Sequence, residues 1–144
     1  MDDLDRVVAA LNRHGVDFLV IGGFAMVYHG HVRNTQDLDL FIRPSADNAR
    51  KTVAALEETG FACPELTIGV FTEGNGISLG DVPLRVDVLS RLPGVEFEAA
   101  WSRRETSVFG AEKADYISRP DLIVNKRTVG RPRDLDDVRE LEAG

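Results

Sequence analysis

A chain of 144 residues with 43% hydrophobic content can enclose one core and is too short to divide comfortably into two. Its 17 basic and 24 acidic side chains give a formal net charge of −7 and a pI near 4.9, which argues against a whole surface that attracts nucleic acid or anionic membrane. With Cys63 as the one cysteine, no internal disulfide can form; no apolar run exceeds strand length and no basic-then-apolar leader is present, so a reducing cytoplasm without membrane attachment is the expected setting.

Leu4, Val7, Val8 and Leu11 form one helical stripe over residues 2 to 14, with acidic residues in the first turn and Gly15 as the stop. "DFLVI" at 17 to 21 is short, apolar and bounded by Gly22-Gly23, which predicts a buried strand entering a tight turn and then a short helix from about 24 to 29. "DLDLFI" at 37 to 42 reads as the second strand, followed by a helix over 45 to 60 with Ser45 as N-cap and Gly60 as stop. From 66 to 89 the pattern turns to β: "LTIGVFT", an "EGNG" turn at 73 to 76, "ISLG" and "LRVDVLS", expected to be neighbouring strands. A helical piece near 96 to 102 precedes "TSVFG" and "ADYIS", read as small edge strands or ordered loops. Pro120 and Pro132 each stand at a first-turn position, so two short helices close the chain over about 119 to 142. The predicted architecture is one α/β (α+β) domain spanning 1–144, a small mixed sheet flanked by helices.

Successive strand side chains point to opposite faces, so Asp37 and Asp39 share one face while Leu38 and Leu40 share the other. Asp87, in Arg85-Val86-Asp87-Val88-Leu89, can present a third carboxylate to the same space. Three carboxylates that close repel unless protonated or bound to cations, and hard oxygen ligands suit Mg²⁺ with substrate phosphates. Gly22 and Gly23 would let backbone N–H groups approach phosphate oxygens with no Cβ in the way. Taken one at a time, the Asp-x-Asp pair, the glycine pair and Asp87 read more often as a solvated sheet face or turn geometry; their combination in this order favours a site.

Gly22-Gly23, thirteen further residues, Asp37-Leu38-Asp39-Leu40 and a later Asp87 resemble the active-site pattern of the DNA polymerase β-like nucleotidyltransferase superfamily. More narrowly, "GGFAMVYHGHVRNTQDLDLFI" and "PDLIVNKRTVGRPRDLDDVREL" resemble small stand-alone nucleotidyltransferases related to AbiEii-type toxins of toxin–antitoxin pairs, a likeness spanning about residues 15 to 142. The resemblance implies an enzyme that moves a nucleoside monophosphate from an NTP to an acceptor hydroxyl on RNA such as tRNA, protein or a small molecule. Asp37 and Asp39 would coordinate Mg²⁺, or Mn²⁺ in its place, and the triphosphate; Asp87 would hold a second ion and orient or deprotonate the acceptor. Gly22, Gly23, Arg33, Thr35 and Lys126 match nucleotide-binding positions, while Arg131 and Asp134 match a motif assigned first to an ion pair holding the last helices. An antitoxin partner follows from the toxin reading.

His29 and His31 read as hydrogen-bonded or exposed residues rather than catalytic ones, and Phe24 and Tyr28 as core. Residues 101 to 133 hold eight basic side chains against four acidic ones, a local balance of +4 that leaves −11 elsewhere. That segment suits a triphosphate or a tRNA end, and equally a helix face pairing with acidic neighbours. Three rivals stand beside the main reading: an antibiotic-modifying nucleotidyltransferase, a non-catalytic nucleotide-binding or interaction protein of the same fold, and a haloacid dehalogenase-like phosphatase using "DLDLF". The short chain and the preceding glycine pair disfavour the last, and many relatives that modify antibiotics carry a further helical domain for which there is little room here.

Overall fold

The computed structural model describes residues 3–81 and 83–144. Its elements run α1 (Asp3–Arg13), β1 (Phe18–Ile21), α2 (Gly22–Tyr28), β2 (Asp37–Ile42), α3 (Ala46–Glu58), α4 (Ile68–Thr72), β3 (Gly76–Asp81), β4 (Leu84–Leu89), α5 (Phe97–Ser102), β5 (Glu105–Phe109), β6 (Glu112–Tyr116), α6 (Arg119–Val129) and α7 (Pro132–Ala143). The strands form one sheet in the order β3-β4-β2-β1-β6-β5. Within it β2 is parallel to β4 and β1 to β6, and the other pairs are antiparallel, so the sheet is mixed as its sequence pattern predicts.

Period-2 alternation divides the core between the two faces of this sheet. Leu38, Leu40 and Ile42 of β2 join Val86 and Val88 of β4 beneath the apolar stripe of α1 (Val7, Val8, Leu11) and Leu56 of α3. On the other face Leu19, Ile21 and Phe41 pack with Met26 of α2, Phe97 of α5, Leu122 of α6 and Leu141 of α7. Asp37 and Asp39 alternate into this second face, next to Phe41. No helix among the described residues is long and apolar enough to cross a membrane.

Helix ends follow local chemistry. Ser45 accepts from Asn48 N at 3.2 Å and Ser118 from Asp121 N at 3.3 Å, each relieving one orphan N–H of a helix start. α6 ends at Gly130, whose φ of 71° is the left-handed cap that glycine tolerates best. Three expectations need correction. "LTIGVFT" is not a strand: Thr67 caps a one-turn helix by accepting from Val70 N at 3.2 Å, which turns Phe71 into the core and leaves Ile68 outside. β6 is not an edge: it lies between β1 and β5, with Tyr116 in register with Val20. α2 begins at Gly22 rather than two residues later.

Candidate active site

The parallel pairing of β2 with β4 decides how the three acids meet. In register, Asp39 lies opposite Asp87 and Asp37 opposite Arg85, so the three carboxylates share one face of two adjacent strands. Burial pushes the Asp39 carboxyl up to about 7, a rise reinforced by the hydrogen bond to Asp87 and by the charges of Asp87 and Asp37, with Arg85 opposing. Asp87 is held from both sides: Ser78 Oγ on β3 donates to its Oδ1, and Arg85 Nε approaches the same oxygen at 3.3 Å. The Asp87 side chain retains 21% exposure, so it is not sealed off from a ligand.

The β1–α2 turn is built against this group. Gly22 sits at φ 66°, and a Cβ there would lie 2.9 Å from Asp39 Cγ and on top of its carboxylate. Gly23 has ordinary backbone, but a Cβ would lie 2.8 Å from Thr35 Oγ1. The two glycines therefore allow the Asp39 carboxylate and the Thr35 hydroxyl to close on the turn. Thr35 Oγ1 also donates to the Asp37 carbonyl at 3.4 Å, which ties the loop before β2 to the strand.

Among the described residues neither Arg33 nor Lys126 pairs with Asp37, Asp39 or Asp87; the two meet each other through α7. Arg33 Nη2 donates to Asp137 Oδ1 and to Glu140 Oε2, each at 2.6 Å, while Lys126 Nζ donates to Asp137 Oδ2 at 2.7 Å. Arg131 Nε binds Asp134 Oδ2 at 2.6 Å, and the Asp134 side chain also reads across the two helices to Lys126 Nζ at 3.9 Å. His29 Nε2 shares a hydrogen bond with the Ile117 carbonyl at 2.8 Å. His31 Nδ1 is 3.8 Å from Glu140, and its Nε2 is buried without a hydrogen-bond partner. Phe24 and Tyr28 are core-packed, Tyr28 stacking on Tyr116 at 4.2 Å between ring centroids.

The basic stretch over 101 to 133 is largely neutralised. Arg103 binds Asp121, Arg104 and Lys113 reach Asp115, Arg127 binds Glu142, and Lys126 and Arg131 pair as above. A cavity of about 660 Å³ lies elsewhere, at the C-terminal ends of β2 and β4, lined by Phe41, Arg43, Arg91, Phe97 and Glu98 among others and by none of the three acids.

Among the described residues no group of three or more acidic, histidine or cysteine side chains stands in an arrangement that could hold a metal ion. Asp37, Asp39 and Asp87 present an open group of hard oxygens in which burial first, and then the neighbouring carboxylates, raise the proton affinity of Asp39. That donor set suits a small hard cation that keeps part of its water and takes its other ligands from phosphate. Ser78, Arg85, Asp137 and Glu140 were not singled out by sequence. Arg85 carries a legible signal, lying two residues before Asp87 and hence on the same face; the pairing of Ser78 with Asp87 depends on sheet register.

Comparison with known proteins gives a family and a fold. A family model described as "Nucleotidyltransferase of unknown function (DUF6036)" matches residues 1–142. No curated protein is similar enough in sequence to count as a relative. Among solved structures, the lincosamide antibiotic adenylyltransferase LnuA bound to lincomycin is similar at a TM-score of 0.63 and 15% identity, over 98% of this chain and 95% of that one. The antibiotic-resistance factor ANT(2'')-Ia is similar at a TM-score of 0.57 and 16% identity, over 99% of this chain and 83% of that one. At these identities the likeness is one of fold.

Proposed function

Since the chain belongs to the DUF6036 family of nucleotidyltransferases, we propose that it transfers a nucleoside monophosphate from an NTP to an acceptor hydroxyl at Asp37, Asp39 and Asp87, with Mg²⁺ or Mn²⁺ as cofactor. The observation that carries this reading is the cross-strand placement of Asp39 beside Asp87, with Asp37 close enough to raise the Asp39 pKa. Asp37 and Asp39 would hold the metal; when bound, the ion neutralises charge on the transferring phosphoryl group and on the leaving oxygen. The acceptor oxygen forms its bond to the α-phosphorus as the α–β bridging bond breaks, and pyrophosphate departs with the bond electrons. Asp87 accepts the hydroxyl proton, and Ser78 and Arg85 keep its carboxylate aimed. Gly22 and Gly23 bring backbone N–H groups to the phosphates, Thr35 braces that turn, and Arg33 and Lys126 supply positive charge.

Two acceptor classes follow. A small molecule, an antibiotic among them, is supported by the likeness to an adenylyltransferase bound to lincomycin, 95% of whose chain is covered, so a fold of this size accommodates such an acceptor. A macromolecular acceptor such as tRNA or protein, in the service of a toxin with an antitoxin partner, rests on the resemblance of "GGFAMVYHGHVRNTQDLDLFI" and "PDLIVNKRTVGRPRDLDDVREL" to AbiEii-type toxins. Incubation of the protein with each α-³²P-labelled NTP, Mg²⁺ and either cell lysate or a panel of hydroxyl-bearing antibiotics, with Asp39→Asn as control, tests both. Label should move to one acceptor class with the wild type alone. Equal labelling by Asp39→Asn would remove the carboxylates from the reaction.

A further inference from the structure

Two cations from distant parts of the chain share one carboxylate. Arg33 lies in the loop between α2 and β2 and Lys126 on α6, yet Asp137 on α7 takes Arg33 on Oδ1 at 2.6 Å and Lys126 on Oδ2 at 2.7 Å. All three side chains are largely withdrawn from solvent, at 28%, 12% and 17% exposure for Arg33, Lys126 and Asp137. Without Asp137, Arg33 would keep Glu140 and Lys126 would keep Asp134 at 3.9 Å, but no shared anion would offset the repulsion between the two cations or hold them to each other.

The place of this contact in the fold gives it a use. Arg33 is two residues from Thr35, whose hydroxyl closes on Gly23 of the β1–α2 turn. Leu141 of α7 belongs to the same buried cluster as Ile21 of β1 and Ala25 and Met26 of α2. Asp137 therefore connects the loop before the acidic strand, the α6 lysine and the last helix.

We infer that Asp137 is a positioning residue that holds the Arg33 and Lys126 cations together, pre-placing two positive charges for the β- and γ-phosphates of the NTP. It touches neither substrate nor metal and acts through the two cations. A pair fixed before the substrate arrives needs little reorganisation when a triphosphate binds. Glu140 steadies Arg33 alone, with Oε2 at 2.6 Å, and is 47% exposed; Asp137 is the side chain that joins the two cations. This inference rests on the proposed role of Arg33 and Lys126 as nucleotide contacts.

The test measures binding of Mg²⁺-tripolyphosphate, of each Mg·NTP and of adenosine to the intact protein and to Asp137→Asn, alone and in an Arg33→Ala/Lys126→Ala background. Asp137→Asn is expected to weaken tripolyphosphate and NTP binding about tenfold and to leave adenosine binding unchanged. In the double-alanine background it should add no further loss, because the groups it acts through are gone. Unchanged or tighter tripolyphosphate binding by Asp137→Asn overturns the inference, as does a full additional loss in the double-alanine background, which is what a merely structural role would give. If Asp137→Asn folds poorly, Asp137→Glu keeps the charge but displaces it by one methylene and is held to the same criteria. Failure of the wild type to bind tripolyphosphate or any Mg·NTP removes the nucleotidyltransferase reading of this site and this inference together; wild-type binding with Asp137→Asn unaltered removes only the inference.

Discussion

The sheet face at Asp39 and the α6–α7 junction both concentrate charge, and they handle it in opposite ways. At the junction Arg33, Lys126 and Arg131 meet Asp134, Asp137 and Glu140, three charges of each sign at hydrogen-bonding or ion-pair distance. Burial alone would raise the Asp137 carboxyl, yet the hydrogen bonds from Lys126 and Arg33 together outweigh it and leave its pKa lowered. On the sheet face, among the described residues, Arg85 is the one cation at ion-pair distance from Asp37, Asp39 or Asp87, and Asp39 is pushed up to about 7. Charge at the junction is balanced within the chain; charge left in excess on the partly open sheet face is where a cation is expected to bind.

The sharpest way to break this contrast is to remove the excess. Asp39→Asn should cut nucleotidyl transfer on the order of 10³-fold or more, as expected when a metal-holding carboxylate is lost from a phosphoryl-transfer site. Its effect on stability should have the opposite sign. The raised Asp39 pKa means the folded protein keeps a proton that the unfolded chain has released between the ordinary carboxylate range and about pH 7. The unfolded state then binds fewer protons, so metal-free stability should be highest at acid pH and fall as pH rises through about 7. Thermal unfolding with chelator from pH 5 to 8 should show that decline in the wild type and a flatter profile in Asp39→Asn. Added Mg²⁺ should raise the wild-type Tm more at pH 8 than at pH 5; an equal rise in Asp39→Asn would place the ion elsewhere.

Next in size is the turn that lets the acids close. Gly22→Ala forces a side chain into φ 66° and onto the Asp39 carboxylate. The backbone alone should cost about 1–2 kcal/mol, read as a lower Tm, and the displaced Asp39 should carry most of the activity away with it. Gly23→Ala, without a positive φ and facing only the Thr35 hydroxyl, should be the milder of the two. Equal damage from both would mean that the turn matters for fold and not for the approach of Asp39.

These two regions also differ in how far sequence alone exposes them. The acidic face was legible because strands impose a period of two: "DLDLFI" places its acids opposite Leu38 and Leu40 and "LRVDVL" places Asp87 opposite Val86 and Val88, and parallel pairing then sets Asp39 beside Asp87. The junction was legible in part: "RPRD" gave the Arg131–Asp134 ion pair, which is present, but Asp137 and Glu140, which take Arg33 and Lys126, were not singled out. Helical phase held the missing signal: Asp134, Val138 and Leu141 are all buried, and Asp137 stands on the same inward stripe while Asp136 faces out to Arg139. In "LTIGVFT" the alternation of Leu66, Ile68 and Val70 imitates a strand, but the Thr67 cap and buried Phe71 win, since one turn of helix satisfies the backbone there and buries the larger ring. "ADYIS" hid an interior strand because Asp115 looks like an edge residue; in the fold Thr106 donates to it and Arg104 lies 3.6 Å away, which makes its burial tolerable.

Smaller effects sharpen the comparison from the other side. Lys126→Ala removes one of two cations on Asp137 and should lower NTP affinity roughly tenfold, or ~1.4 kcal/mol, in equilibrium binding. A loss of stability with unaltered NTP affinity would make the junction wholly structural. Ser78→Ala should be smallest: the serine is exposed and its hydroxyl only steadies Asp87, so the loss should be about 0.5–1 kcal/mol, a two- to fivefold fall in kcat/KM. Because Arg85 Nε still approaches the same Asp87 oxygen, the carboxylate should keep its position, and the variant should retain the Mg²⁺-dependent rise in Tm. If Ser78→Ala abolishes that rise, Asp87 needs its serine as much as its strand, and the acidic face depends on side-chain bracing as the junction does.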